Sequence, residues 1–105
     1  MKNLNLAAMM KQAQAMQTRM QEVQDEVGQQ TVEASAGGGM VTVTVNGKGE
    51  VQSVKIDPSL IKDGDIEMLE DLVLAAVNEA HRRADEMMKS ALSRIAGPLG
   101  GGFPF

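Results

Sequence analysis

Seven cations are the residues of this sequence best suited to chemistry: Lys2, Lys11 and Arg19 near its start, and Arg82, Arg83, Lys89 and Arg94 near its end. Lysine offers a compact ammonium and arginine a planar fork of N–H donors, and both suit phosphate oxygens. Other chemistries are poorly served. There is no cysteine, which excludes a disulfide framework, a thiolate zinc site and a thiol nucleophile. His81 is the only histidine, so one chain cannot build a multi-histidine metal site. Asp85 lies four residues beyond it, a spacing that reads as a surface contact on a helix. The serines lack the setting of a nucleophile elbow. Gly37-Gly38-Gly39 opens a strand rather than a helix, so it is not a phosphate loop. Asp57, Asp63 and Asp65 do not follow a calcium-loop pattern. The two phenylalanines, Phe103 and Phe105, fall in the last three positions and leave no platform for stacking single-stranded bases. No catalytic constellation, metal site or cofactor site is expected.

The cations must be positioned by long helices. Leu6, Met9, Ala13, Met16, Met20, Val23 and Val27 recur at alternating steps of three and four. That a/d seam predicts one helix over about Leu4–Val27, packed either on its own sheet or along another helix, with Gly28 as its C-terminal glycine. Thr31–Ala36, Met40–Val45 and Val51–Asp57 read as three strands. Gly37-Gly38-Gly39 turns the first into the second. Asn46-Gly47-Lys48-Gly49 turns the second into the third, with Asn-Gly accepting positive φ. Pro58 ends the meander, and Ser59-Leu60-Ile61 forms a short turn. A second long helix is expected from about Asp65, its N-cap, to Ile95. Its stripe is Leu69, Val73, Ala76, Ala80, Ala84, Met87, Ala91 and Ile95, whose alanines would let another helix approach closely. The class is therefore α+β: residues 1–96 form one α-βββ-α domain and residues 97–105 a flexible Gly/Pro/Phe tail.

With 105 residues the core is modest. Helices of roughly 35 and 45 Å outrun a sheet of roughly 20 Å. The excess must project as arms with apolar stripes, and a homodimer is the economical way to cover them. No run spans a bilayer, the start does not read as a signal peptide, and a cytosolic, reduced setting follows.

Lys+Arg number 10 and Asp+Glu 14, for a net charge of −4, which argues against an indiscriminate polyanion binder. The distribution is uneven, however. On the first helix the cations precede Glu22, Asp25 and Glu26; on the last, Asp63, Asp65, Glu67, Glu70 and Asp71 precede the cations. The helix dipole and the i,i+4 pairs Arg82–Glu86 and Asp85–Lys89 would suffice to explain the second order. The first order opposes the dipole. If the helices project the same way, the molecule has an acidic base and basic arms. If both sheet connections reverse direction, the basic ends sit apart unless a partner subunit joins them.

Met9-Met10-Lys11-Gln12-Ala13-Gln14, the run Gly39 to Val51, Val54-Lys55-Ile56-Asp57-Pro58 and Glu67-Met68-Leu69-Glu70-Asp71-Leu72, with the Gly/Pro/Phe tail, resemble the YbaB/EbfC nucleoid-associated family. The resemblance implies a tweezer-like homodimer of the bacterial cytoplasm and nucleoid that binds double-stranded DNA near its protruding helix ends. Lys2, Lys11, Arg19, Arg83, Lys89 and Arg94, with Arg82 behind them, become the expected phosphate contacts. No membrane or small-molecule substrate is expected. The alternative is a dimeric adaptor for a protein of DNA repair or replication, with weak DNA binding. An enzyme is not expected.

Overall fold

The computed structural model describes the backbone of residues 2–62 and 64–96, and the side chains of 5–62 and 64–95. The elements follow as α1 (Lys2–Gln29), β1 (Thr31–Ala36), β2 (Val41–Asn46), β3 (Val51–Ile56), α2 (Pro58–Lys62) and α3 (Ile66–Ala96). The tail expected at 97–105, Asp63 and the side chain of Lys2 lie outside the described residues.

The strands form one antiparallel sheet in the order β1-β2-β3. Side chains alternate between faces, and cross-strand partners share a face. Val32, Ala34 and Ala36 pair with Val45, Val43 and Val41, which in turn pair with Val51, Val54 and Ile56. All the apolar side chains therefore lie on one face. The other carries Thr31, Glu33 and Ser35, then Thr42, Thr44 and Asn46, then Ser53 and Lys55; there the Ser35 and Thr42 hydroxyls share a hydrogen bond of 3.0 Å. A bulge opposite Thr44 and Val45 inserts Gln52 into β3 and keeps Val51 on the apolar side.

α3 packs across β1 and β2. Its Ala76, Ala80 and Ala84 are buried against Val41, Val43, Val45 and Ala34, with Leu60 of α2 closing the end of the cluster. The alanine stripe thus admits the sheet, not a second helix as its spacing suggested: small side chains let a helix axis settle close on a valine surface. Asp65 caps α3 as expected, its Oδ1 accepting the Met68 amide at 3.0 Å. Asp57 does the same for α2 through the Ser59 amide at 2.9 Å, and the Ser59 backbone and hydroxyl hold its carboxyl below the ordinary range.

Two turn details differ from the sequence expectation. Gly28 does not follow α1 but lies buried inside its last turn, beneath the Lys48 side chain. In the β2–β3 turn the positive φ belongs to Gly49, at 86°, and not to Asn46 or Gly47. Asn46 instead uses its side chain, Oδ1 accepting the amides of Lys48 and Glu50. Gly37, Gly38 and Gly39 all have positive φ, as the β1–β2 turn requires.

Candidate nucleic-acid interface

One residue, Gln30, joins α1 to β1. With so short a link α1 does not fold back over the sheet. Val27 abuts Gly47 and His81 abuts Gly49, so both long helices leave the sheet beside the β2–β3 turn. From there α1 runs out toward its start and α3 toward its end, packed together and antiparallel. The two connections therefore do not both reverse. The basic ends of one chain project the same way, giving principal extents of 75 × 22 × 16 Å and a radius of gyration of 20.3 Å, against about 13 Å for a compact chain of this size.

Packing between the helices begins at the sheet. Val23 and Val27 are buried, Met16 and Met20 are half-buried, and Leu6, Met9 and Ala13 of the same seam are exposed. Opposite them, Met87, Ala91 and Ile95 form the α3 wall. Arg19 and Arg94 stand at one shared cleft, floored by these apolar groups, with Glu26 and Gln30 on its sheet side. Residues 75 positions apart thus line one cleft.

The remaining expected residues fall into two sets. Lys11 and Lys89 are exposed, Lys11 beside Met10 and Gln14 of α1 and Lys89 beside Ser90 and Ser93 of α3. Among the described residues, neither they nor Arg94 form an ion pair. Arg19 has one loose partner, Glu22, at 3.5 Å with both side chains more than half exposed, a contact of small worth in water. Arg82 and Arg83 are differently occupied. Arg82 bonds both oxygens of Glu79 and also Glu86. Arg83 donates to Glu79 at 3.2 Å and to the Glu33 carbonyl of β1 at 2.8 Å.

Glu79 is the residue that sequence reasoning passed over. Bonding by Arg82 lowers its carboxyl to about 2, with Arg83 adding to the effect, and Glu79 in turn raises Arg82. Its i,i+3 and i,i+4 spacing to the two arginines was a readable signal. The Glu33 carbonyl left none. Of the expected α3 pairs, Arg82–Glu86 forms and Asp85–Lys89 does not. His81 is exposed beside the β2–β3 turn.

Among the described residues no group of three or more potential metal ligands converges, and no helix is long and apolar enough to cross a membrane.

Known proteins resemble the chain along most of its length. The chain is 52% identical over 97 residues to a nucleoid-associated protein of Acetivibrio thermocellus, covering 92% of this chain and 86% of the relative. It is 47% identical over 105 residues to one of Gluconacetobacter diazotrophicus, covering 96% and 98%. A crystal structure of an uncharacterized Helicobacter pylori protein superposes with a TM-score of 0.63 at 27% identity, covering 74% of this chain and 90% of that one. A model of the YbaB/EbfC DNA-binding family matches residues 1–99. Sequence, fold and relatives converge: the chain belongs to the YbaB/EbfC DNA-binding family, a family of DNA-binding proteins rather than of enzymes.

Proposed function

We propose that this protein acts as a homodimer of the bacterial cytoplasm and nucleoid, gripping duplex DNA between the basic ends of its paired helices through phosphate contacts. The observation that carries the reading is the meeting of Arg19 and Arg94 at one cleft on the projecting arm, away from Glu67, Glu70 and Asp71 at the sheet end of α3. Lys11 and Lys89 extend the same basic surface, and Lys2 adds to it at the start of α1. Arg82 and Arg83 reach phosphate only by sharing or exchanging carboxylate partners, so they contribute less. A net charge of −4 is compatible with this division, because a duplex responds to the local field over about 10 Å at 0.1 M salt rather than to the total.

Contacts of this kind position a protein without reading bases. Two arms closing on one duplex would also bend or stiffen it, the route by which such a protein changes gene expression. Six neutralised phosphates give a slope of log affinity on log salt of about −5. Titrating a duplex at two salt concentrations, with the solution mass measured in parallel, tests the reading. A slope near zero would refute the phosphate contacts.

A second reading, an adaptor for a protein of DNA repair or replication, is favoured by exposed Leu6, Met9 and Met10 on the α1 arm. Its signature would be a partner retained at high salt.

A further inference from the structure

The apolar seam of α1 outlasts the helix that covers it. Val27 and Val23 are buried and Met20 and Met16 half-buried, but beyond them the seam is bare, with Met9 and Leu6 at 65% and 58% exposed. The change follows from length. Ile95 lines the shared cleft with Arg19 and Val23, and α3 stops at Ala96. α1 continues from Arg19 back to Lys2, about 25 Å at 1.5 Å per residue. A helix keeps an apolar stripe in order to bury it, and here the stripe runs on past its partner.

Residues 97–105 start where the cover stops. Drawn out, they reach up to about 30 Å, enough for the whole bare stretch. Pro98 and the glycines around it do not continue a helix. The pattern of the segment has instead a period of two. Leu99, Gly101, Phe103 and Phe105 stand at alternate positions, with only proline or glycine between them. Alternate residues of an extended chain share a side, so an extended tail turns all its large apolar groups one way. Leu99 also falls four residues after Ile95, as Ile95 does after Ala91.

We propose that residues 97–105 lie extended along the bare seam of their own α1, Leu99 against Ala13, and Phe103 and Phe105 against Met9 and Leu6. A thioether beside an aromatic ring is a favourable contact. Tethering selects the tail over a second copy or a foreign segment: it leaves α3 beside the seam, so its effective concentration there is in the millimolar range. The segment carries no charge of its own. Lys11 is two residues from both Met9 and Ala13, which puts it on another side of the helix and leaves it open to a duplex while the tail is in place. The inference stands apart from the homodimer and from DNA binding.

Methionine-methyl NMR of the full chain tests it. Beside the phenylalanine rings the Met9 ε-methyl should resonate upfield. In the variant Phe103→Ser/Phe105→Ser it should return to the position of a solvated methionine, while Met68, at the sheet end of α3, does not move. The absence of cysteine allows a second test. Met9→Cys combined with Phe103→Cys, oxidised in dilute solution, should close a disulfide within one chain, and Lys11→Cys combined with Phe103→Cys should not. A Met9 methyl indifferent to the serine substitutions overturns the proposal. So does a Met9–Phe103 cysteine pair that stays open, that closes no better than the Lys11 pair, or that closes between chains. A Met9 signal that moves on dilution but not with the tail puts a second copy on the seam, and equally overturns it.

Discussion

The carbonyl of Val27 occupies the space that a side chain on Gly47 would need. This contact seats the end of α1 against the β2–β3 turn, and backbone opposes backbone, so neither side has a flexible group to yield. Gly47→Ala should therefore cost about 2 kcal/mol or more of unfolding free energy. Gly38→Ala, at φ 67° in open space, should cost about 1 kcal/mol from its left-handed backbone alone. Chemical denaturation of the two variants side by side measures the difference; equal losses would mean that the close approach carries no weight.

Replacing Arg19 and Arg94 together by alanine should weaken duplex binding and flatten its salt dependence. The proposed dimer, deprived of these four guanidinium groups, should show a slope of log affinity on log salt shallower by about 3 to 4. Gel-shift titrations at several salt concentrations give the slope directly. The same pair of substitutions should leave the melting temperature nearly unchanged, since both side chains are exposed.

Glu79 supplies a pH signature. Its carboxyl lies at about 2 instead of 4.5 in the folded chain. A lowered folded value means that its stabilising contribution is complete above the ordinary carboxylate range and is lost as pH falls from about 4.5 to about 2. Carbon-detected NMR titration should show the Glu79 carboxylate still ionised at pH 3. In Glu79→Gln the clamp on Arg82 and Arg83 is weakened, although Glu86 and the Glu33 carbonyl still hold them, and duplex affinity should rise, with a salt slope steeper by about 1 for each arginine that turns to phosphate.

Asp65→Ala removes the acceptor of the Met68 amide at the head of α3. A lost N-cap costs about 1 kcal/mol, visible as a lower denaturation midpoint with unchanged DNA binding, because this end of α3 is remote from the basic cleft.

The helix periodicities, the strand alternation and the Asp65 cap were legible because each is written in neighbours along the chain. The inequality between long helices and a short sheet was legible too, and with it the projecting arms. What could not be read was set by groups distant in sequence. The alanines of α3 indicated close approach, but not whether a helix or a sheet would come near. Gly28 looked like a helix stop because the Lys48 side chain that covers it lies 20 positions away. The seven cations were visible, yet only the fold separates Arg82 and Arg83, held by Glu79, from Arg19 and Arg94, brought to one cleft. The direction of α1 turned on the single residue Gln30, whose amide bonds back to the Val27 carbonyl at 3.0 Å.

That one-residue joint makes α1 a lever. A helix of 28 residues is about 42 Å long, so a 10° change of angle at Gln30 would carry its far end through about 7 Å, roughly the width of a DNA minor groove. In the proposed dimer a small flexing of the β-sheet would thus be magnified into a large change in the spacing of the arms, and a sequence change near residues 27–31 would retune that spacing without touching a proposed phosphate contact.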